Sequence, residues 1–190
     1  ERGIYNIAFS TASLLAIIPS ALMSLFMPAI TSLYAKNKIK DVKKVSNIVT
    51  KWIFIANIPL LFTLIIFSKD ILRLIFGNEY LPGATALIIL AVSYLILSVT
   101  HVYGSNLLMI GKTKLLSILV FISAFSNIVL NIILVPKYGI NGAAASTLIS
   151  TLFFLIIIAI STLIILKLQP LNLSLLKSLL AGIFSVIIIF

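Results

Sequence analysis

Two stretches, residues 115–135 and 140–166, run without a single charged side chain. Each is long enough to cross a bilayer. A crossing takes about 20 mostly apolar residues, because a helix rises about 1.5 Å per residue through a core about 30 Å thick. Four further stretches qualify or nearly do. They are residues 4–33, interrupted by Pro19 and Pro28, and residues 52–67, which are short alone and continue from a preceding helix. The other two are residues 84–110, where His101 is the one group that titrates near neutral pH, and residues 175–190. Backbone groups in hydrocarbon must be satisfied internally, so the spans are helices or a closed barrel. Runs such as residues 152–160 lack the alternation of barrel strands. The expectation is an all-α polytopic transmembrane helix bundle of about six spans, a single domain over residues 1–190.

Composition closes the other routes. The chain is 62% hydrophobic and 9% charged, where soluble domains are roughly 45–50% apolar and about 25% charged. So little charge cannot cover a soluble surface. Soluble enzymes, disordered chains and nucleic-acid binders are excluded, the last despite a net charge of +10. The absence of cysteine removes disulfides, a thiolate zinc site and a cysteine nucleophile. The sequence opens on Glu1 and stops at Phe190 inside an apolar run, and reads as a piece of a longer protein or a processed or split product.

The cations orient the spans. With the loop after the first span cytoplasmic, the inner side holds Lys36, Lys38, Lys40, Lys43, Lys44, Lys51, Lys112, Lys114, Lys167 and Lys177, and the outer side Arg2, Lys69, Arg73 and Lys137. Ten against four is the cytoplasmic bias expected in the cell membrane, and it adds attraction to anionic membrane lipids. Residues 36–51 place Ile39, Val42, Val45, Ile48 and Val49 on one helical face and most lysines on the other, which reads as a cytoplasmic amphipathic connector whose lysines snorkel to headgroups. Residues 68–83 repeat the pattern weakly and form an outer amphipathic loop rich in turn residues.

The four acids, Glu1, Asp41, Asp70 and Glu79, lie at ends or in loops. The spans therefore hold no acid/base pair and no metal site, and no catalytic residue or cofactor is expected. What they carry is neutral polarity in register. Asn6, Ser10, Ser13, Ser20, Ser24 and Thr31 follow 4-3-7-4-7 spacing, with Arg2 extending the line outward. Tyr94, Ser98, His101 and Ser105 share a second face, and Ser123, Asn127 and Asn131 a third. Two readings stand for these stripes. One is helix–helix packing through small and hydroxyl residues. The other is the wall of a water-accessible cavity, favoured for the larger groups Asn127, Asn131 and His101 because they are costly against lipid. Arg2 is either a cation snorkelling to headgroups or a cavity cation that meets an anionic substrate. The candidate cavity-lining residues are Arg2, Asn6, Ser10, Ser13, Tyr94, Ser98, His101, Asn127 and Asn131. Gly142, Ser146 and Ser150, four apart, read as close-packing positions.

Four motifs occur in order. They are Gly3-Ile4-Tyr5 with Pro19-Ser20-Ala21 and Pro28; Phe76-Gly77-Asn78-Glu79-Tyr80-Leu81-Pro82-Gly83-Ala84; Leu107-Leu108-Met109-Ile110-Gly111-Lys112-Thr113-Lys114; and Val135-Pro136-Lys137-Tyr138-Gly139-Ile140-Asn141-Gly142, continuing through residue 150. Together they resemble the second half of the polysaccharide transporter family, the O-antigen-type flippases of the multidrug/oligosaccharidyl-lipid/polysaccharide superfamily. The resemblance implies the C-terminal lobe of a bundle of twelve to fourteen helices. It also implies a lipid-linked oligosaccharide substrate on a polyprenyl carrier, alternating access, and an N-terminal lobe, on the same or a separate chain, as partner. Flippases for diphosphate-linked cargo tend to use cavity cations; only Arg2 and His101 are available here, so the resemblance implies that the other lobe supplies the cations, that this piece cannot transport alone, or both. Three alternatives stand beside it. A cation-coupled drug antiporter of the same superfamily usually relies on an intramembrane carboxylate, which these spans lack. A membrane glycosyltransferase would need carboxylates or clustered arginines on a sizeable outer loop. A truncated, non-transporting membrane protein is the third.

Overall fold

The computed structural model describes residues 2–166. The expected span at residues 175–190, with Lys167 and Lys177, lies outside the described residues. Within them every long element is helical: α1 (Arg2–Ala12), a 3-10 turn (Ser13–Ala16), α2 (Ile17–Ala35), α3 (Ile39–Ile66), α4 (Ser68–Phe76), a 3-10 segment (Asn78–Gly83), α5 (Ala84–Met109) and α6 (Thr113–Leu166). This is the helical bundle expected of a multi-pass membrane protein.

At α6 the chain turns back on itself. Gly139 has φ 56° and ψ −132°, a conformation that side-chain-bearing residues essentially do not adopt, and it separates two limbs, residues 113–138 and 140–166. The limbs form a tight hairpin: the Asn127 amide donates to Ser150 Oγ at 2.9 Å and Ser123 Oγ to the Ser150 carbonyl at 3.4 Å. They come closest at Gly142, where an added Cβ would collide with the Leu134 carbonyl. Ser146 and Ser150, on the same seam, are buried. The close-packing reading of this triplet therefore describes the hairpin's inner edge.

Helix α5 is the axis. Its apolar residues fall all round the helix rather than in one stripe, as befits an element enclosed by neighbours. Leu87 and Leu90 pack with Ala8, Ala12, Leu72 and Ala144; Leu95, Val99 and Leu107 pack with Leu15, Phe54, Ile58, Leu61 and Ile158; Val102 packs with Met23, Val49 and Ile53. The first limb of α6 is peripheral, leaving Phe121, Phe125 and Ile132 at 61–72% exposure.

One local expectation shifts. The break in the first span falls at Ser13–Ala16, not at Pro19 or Pro28. Pro19 supplies no N–H, and its ring crowds the carbonyl four residues back, at Leu15. The turn before it tightens to 3-10 geometry, while α2 runs on through Pro28. The lysine-rich connector is helical and runs into the next span, as the shortness of residues 52–67 led one to expect. After a turn at residues 36–38 it becomes the first half of α3, continuous with the span after Trp52. Val42 and Val49 are buried, and Ser46 Oγ donates to Asn106 Oδ1 of α5 at 3.0 Å, so this stretch is tied to the bundle while Ile39 and Ile48 stay exposed. The stretch at residues 68–83 does form a short helix and a 3-10 segment. Leu72 faces the core there, while Leu74 and Ile75 are exposed.

Candidate functional site

Polar side chains on α1, α5 and both limbs of α6 border one groove along the bundle. It begins beside the Gly139 bend, where Arg2, Tyr5 and Asn6 of α1 face Val135, Ile140 and Ala143 across a cleft of about 400 Å³. Tyr5 and Ala143 also line a second cleft of about 530 Å³, with Phe9, Leu97, Ser123, Asn127, Asn131, Thr147, Ser150 and Phe154 around it. Leu97, Val120 and Phe154 continue into a third of about 250 Å³, reaching His101 and Ser105. The shared walls make the three one track.

The middle cleft is built by helical spacing. Residues Ser123, Asn127 and Asn131, four apart on the first limb, meet Thr147 and Ser150 on the second because the hairpin is antiparallel. The Asn131 amide donates to both the Asn127 carbonyl and Asn127 Oδ1 at 2.9 Å, and Asn127 in turn donates to Ser150. Across the cleft the Tyr5 hydroxyl lies 3.5 Å from Thr147 Oγ1. Tyr5 and Phe9 sit one turn apart with ring centroids 6.2 Å apart, and Tyr94 buttresses Phe9 edge-on at 5.6 Å. No charged side chain lines this cleft; Arg2 stands at its neighbour.

Of the nine candidate cavity-lining residues, Arg2, Asn6, His101, Asn127 and Asn131 border the groove, with Ser105 and Ser123 of the polar stripes beside them. The others lie elsewhere. Ser98 is buried at 2% exposure and its hydroxyl donates to the Leu95 carbonyl at 2.6 Å, so it belongs to the packed side of α5. Tyr94 stands behind Phe9 rather than in the cleft. Ser10 is exposed on α1, and its carbonyl accepts from Ser13 Oγ at 2.7 Å as the chain enters the 3-10 turn. Sequence reasoning passed over Tyr5 and Phe9, whose signal was an aromatic pair one helical turn apart, and over Thr147. Among the described residues no group of histidines and carboxylates is placed to hold a metal ion.

Comparisons with known proteins converge on one kind of molecule. The MatE family model matches residues 3–133. A protein of Haloferax volcanii named as a probable low-salt glycan biosynthesis flippase, Agl15, is 30% identical over 149 residues, 78% of this chain and 31% of that protein. AglR of the same organism, named as a probable flippase, is 30% identical over 157 residues, covering 78% of this chain and 32% of its own. The capsular polysaccharide biosynthesis protein CapF of Staphylococcus aureus is 28% identical over 153 residues, 78% of this chain and 38% of that one. The chain thus spans about a third of the length of these relatives. No solved structure matches. With most of its described helices matched by the family model, and with relatives named as glycan flippases as the four motifs led one to expect, the chain belongs to the MatE family.

Proposed function

We propose that this chain forms one lobe of a flippase that carries polyprenyl-linked oligosaccharide across the cytoplasmic membrane for surface glycan assembly, without covalent chemistry. The observation that carries it is the open groove, which gathers Arg2, Asn6, Asn127, Asn131 and His101 along one side of the bundle. Polar side chains of this size are costly against lipid and are retained where they face water or cargo. Relatives named for glycan flipping and capsule synthesis support the same reading. In it an N-terminal lobe closes the groove into a cavity, and the lysine-rich end, with Lys36 to Lys44, Lys112 and Lys114, faces the cytoplasm.

The second reading is a cation-coupled drug antiporter. It is disfavoured by the acids: Asp41 sits in the first turn of α3, Asp70 in that of α4 and Glu79 in the 3-10 segment, none of them on the groove. In the full-length protein, Arg2→Ala and Asn127→Leu should each lower surface glycan export several-fold, with lipid-linked oligosaccharide accumulating in the inner leaflet and protein abundance unchanged. Normal export in both variants, or drug efflux that they abolish while export is intact, would overturn the reading.

A further inference from the structure

We propose that the middle cleft is a subsite for a neutral saccharide ring, with Tyr5 as its stacking face, Asn127 and Asn131 as its hydroxyl-reading groups, and Arg2 as the neighbouring contact for the carrier phosphate. The proposal rests on the flippase reading and adds a division of labour within the groove.

The chemistry of the lining selects the ligand class. A sugar hydroxyl both donates and accepts, so its complement is a wall with spare donors and acceptors and no fixed charge. After its bonds within the hairpin, Asn127 retains one amide hydrogen, and Asn131 retains Oδ1. Thr147 adds a hydroxyl on the hairpin wall, and Tyr5 brings one from α1 across the cleft. The cleft's volume, about 530 Å³, lies within the roughly 300–1,000 Å³ usual for small-molecule sites. An anionic headgroup gains little in the middle cleft, where nothing is charged, but Arg2 stands three residues before Tyr5 on α1, about 4.5 Å along the axis. A phosphate at Arg2 therefore places the first sugar beside Tyr5. A purely apolar ligand fits worse, because it would cover the spare amide groups and leave them unpaired, at about 1–3 kcal/mol for each.

The test is equilibrium binding to the full-length protein in lipid nanodiscs with two probes: polyprenyl monophosphate, and the same lipid carrying one neutral hexose. Wild-type protein should bind the hexose-bearing lipid more tightly. Asn131→Leu should weaken that lipid about tenfold, the loss of one or two neutral hydrogen bonds, and leave the bare lipid unchanged. Tyr5→Leu, which leaves the hairpin's hydrogen bonds intact, should do the same and decides the matter if Asn131→Leu fails to fold. Arg2→Gln should weaken both lipids alike. Equal losses for both lipids in the Tyr5 and Asn131 variants, or no loss, would overturn the subsite. Wild-type protein that flips the hexose lipid yet binds both lipids equally would remove the subsite and keep the flippase; wild-type protein that binds neither removes both.

Discussion

A membrane-impermeant maleimide added outside intact cells will modify a cysteine at Lys137 to completion and leave one at Lys40 untouched until the membrane is opened. These 190 residues contribute no cysteine of their own, and both positions are exposed. The all-or-none character of the labelling comes from the bundle's construction. The Ser46–Asn106 bond ties the start of α3 to the end of α5, which places Lys36, Lys38 and Lys40 with Lys112 and Lys114 at one end. Gly83 packs on Ile4, and Arg2 shares a cleft with Gly139, which places Arg2 and Lys137 at the other end with Lys69 and Arg73. Translocating a lysine cluster is disfavoured, so the proposed orientation keeps the richer end in the cytoplasm. Reversed labelling would overturn the orientation, and with it the direction of transport. Labelling of both positions from one side would overturn the placement of Lys40 and Lys137 at opposite ends of the bundle.

Much of this architecture was legible in the sequence because hydrocarbon imposes simple rules. The charge-free stretches at residues 115–135 and 140–166, joined by Pro136-Lys137-Tyr138-Gly139, left no alternative to paired helices, and Gly142, Ser146 and Ser150 marked the edge on which they close. Asn127 and Asn131 stood out because amides are rare against lipid. The stripes left packing and cavity wall both open, because periodicity alone does not name a neighbour. Tyr94, Ser98 and His101 share a face of an ideal helix, yet α5 has neighbours on nearly every side, so Ser98 meets packed helix while His101, one turn on, reaches the groove. Asn57, two residues before Pro59, is fully buried within an unbroken α3. Tyr5 and Phe9 were invisible as site residues because aromatic side chains in a span are ordinary. Only the placement of α1 against the α6 hairpin gives them a role.

Replacing Gly142 by valine should be the most damaging single change in the chain. The first atom of any side chain there meets the Leu134 carbonyl, a backbone group held in the helix of the opposite limb, so no rotamer relieves the contact. The limbs must separate by enough to admit a β-branched side chain. Separation costs packing along Ser146 and Ser150 and lengthens the Asn127–Ser150 bond, 2.9 Å in the wild-type protein. Overpacking a tight interface costs about 1–3 kcal/mol, and rigid backbone on the far side puts this case at the top of that range or above it. Thermal unfolding in detergent should show a clear fall in midpoint for Gly142→Val, while Ile156→Val, at a side chain 55% exposed on the same limb, should stay near wild type, since exposed substitutions usually fall within about 0.5 kcal/mol. Export should fail with it, because the bond that orients Asn127 is among those lost. If Gly142→Val melts with the Ile156→Val control, the two limbs do not touch at that seam. The Asn127–Asn131–Ser150 arrangement would then have lost the packing that holds it together.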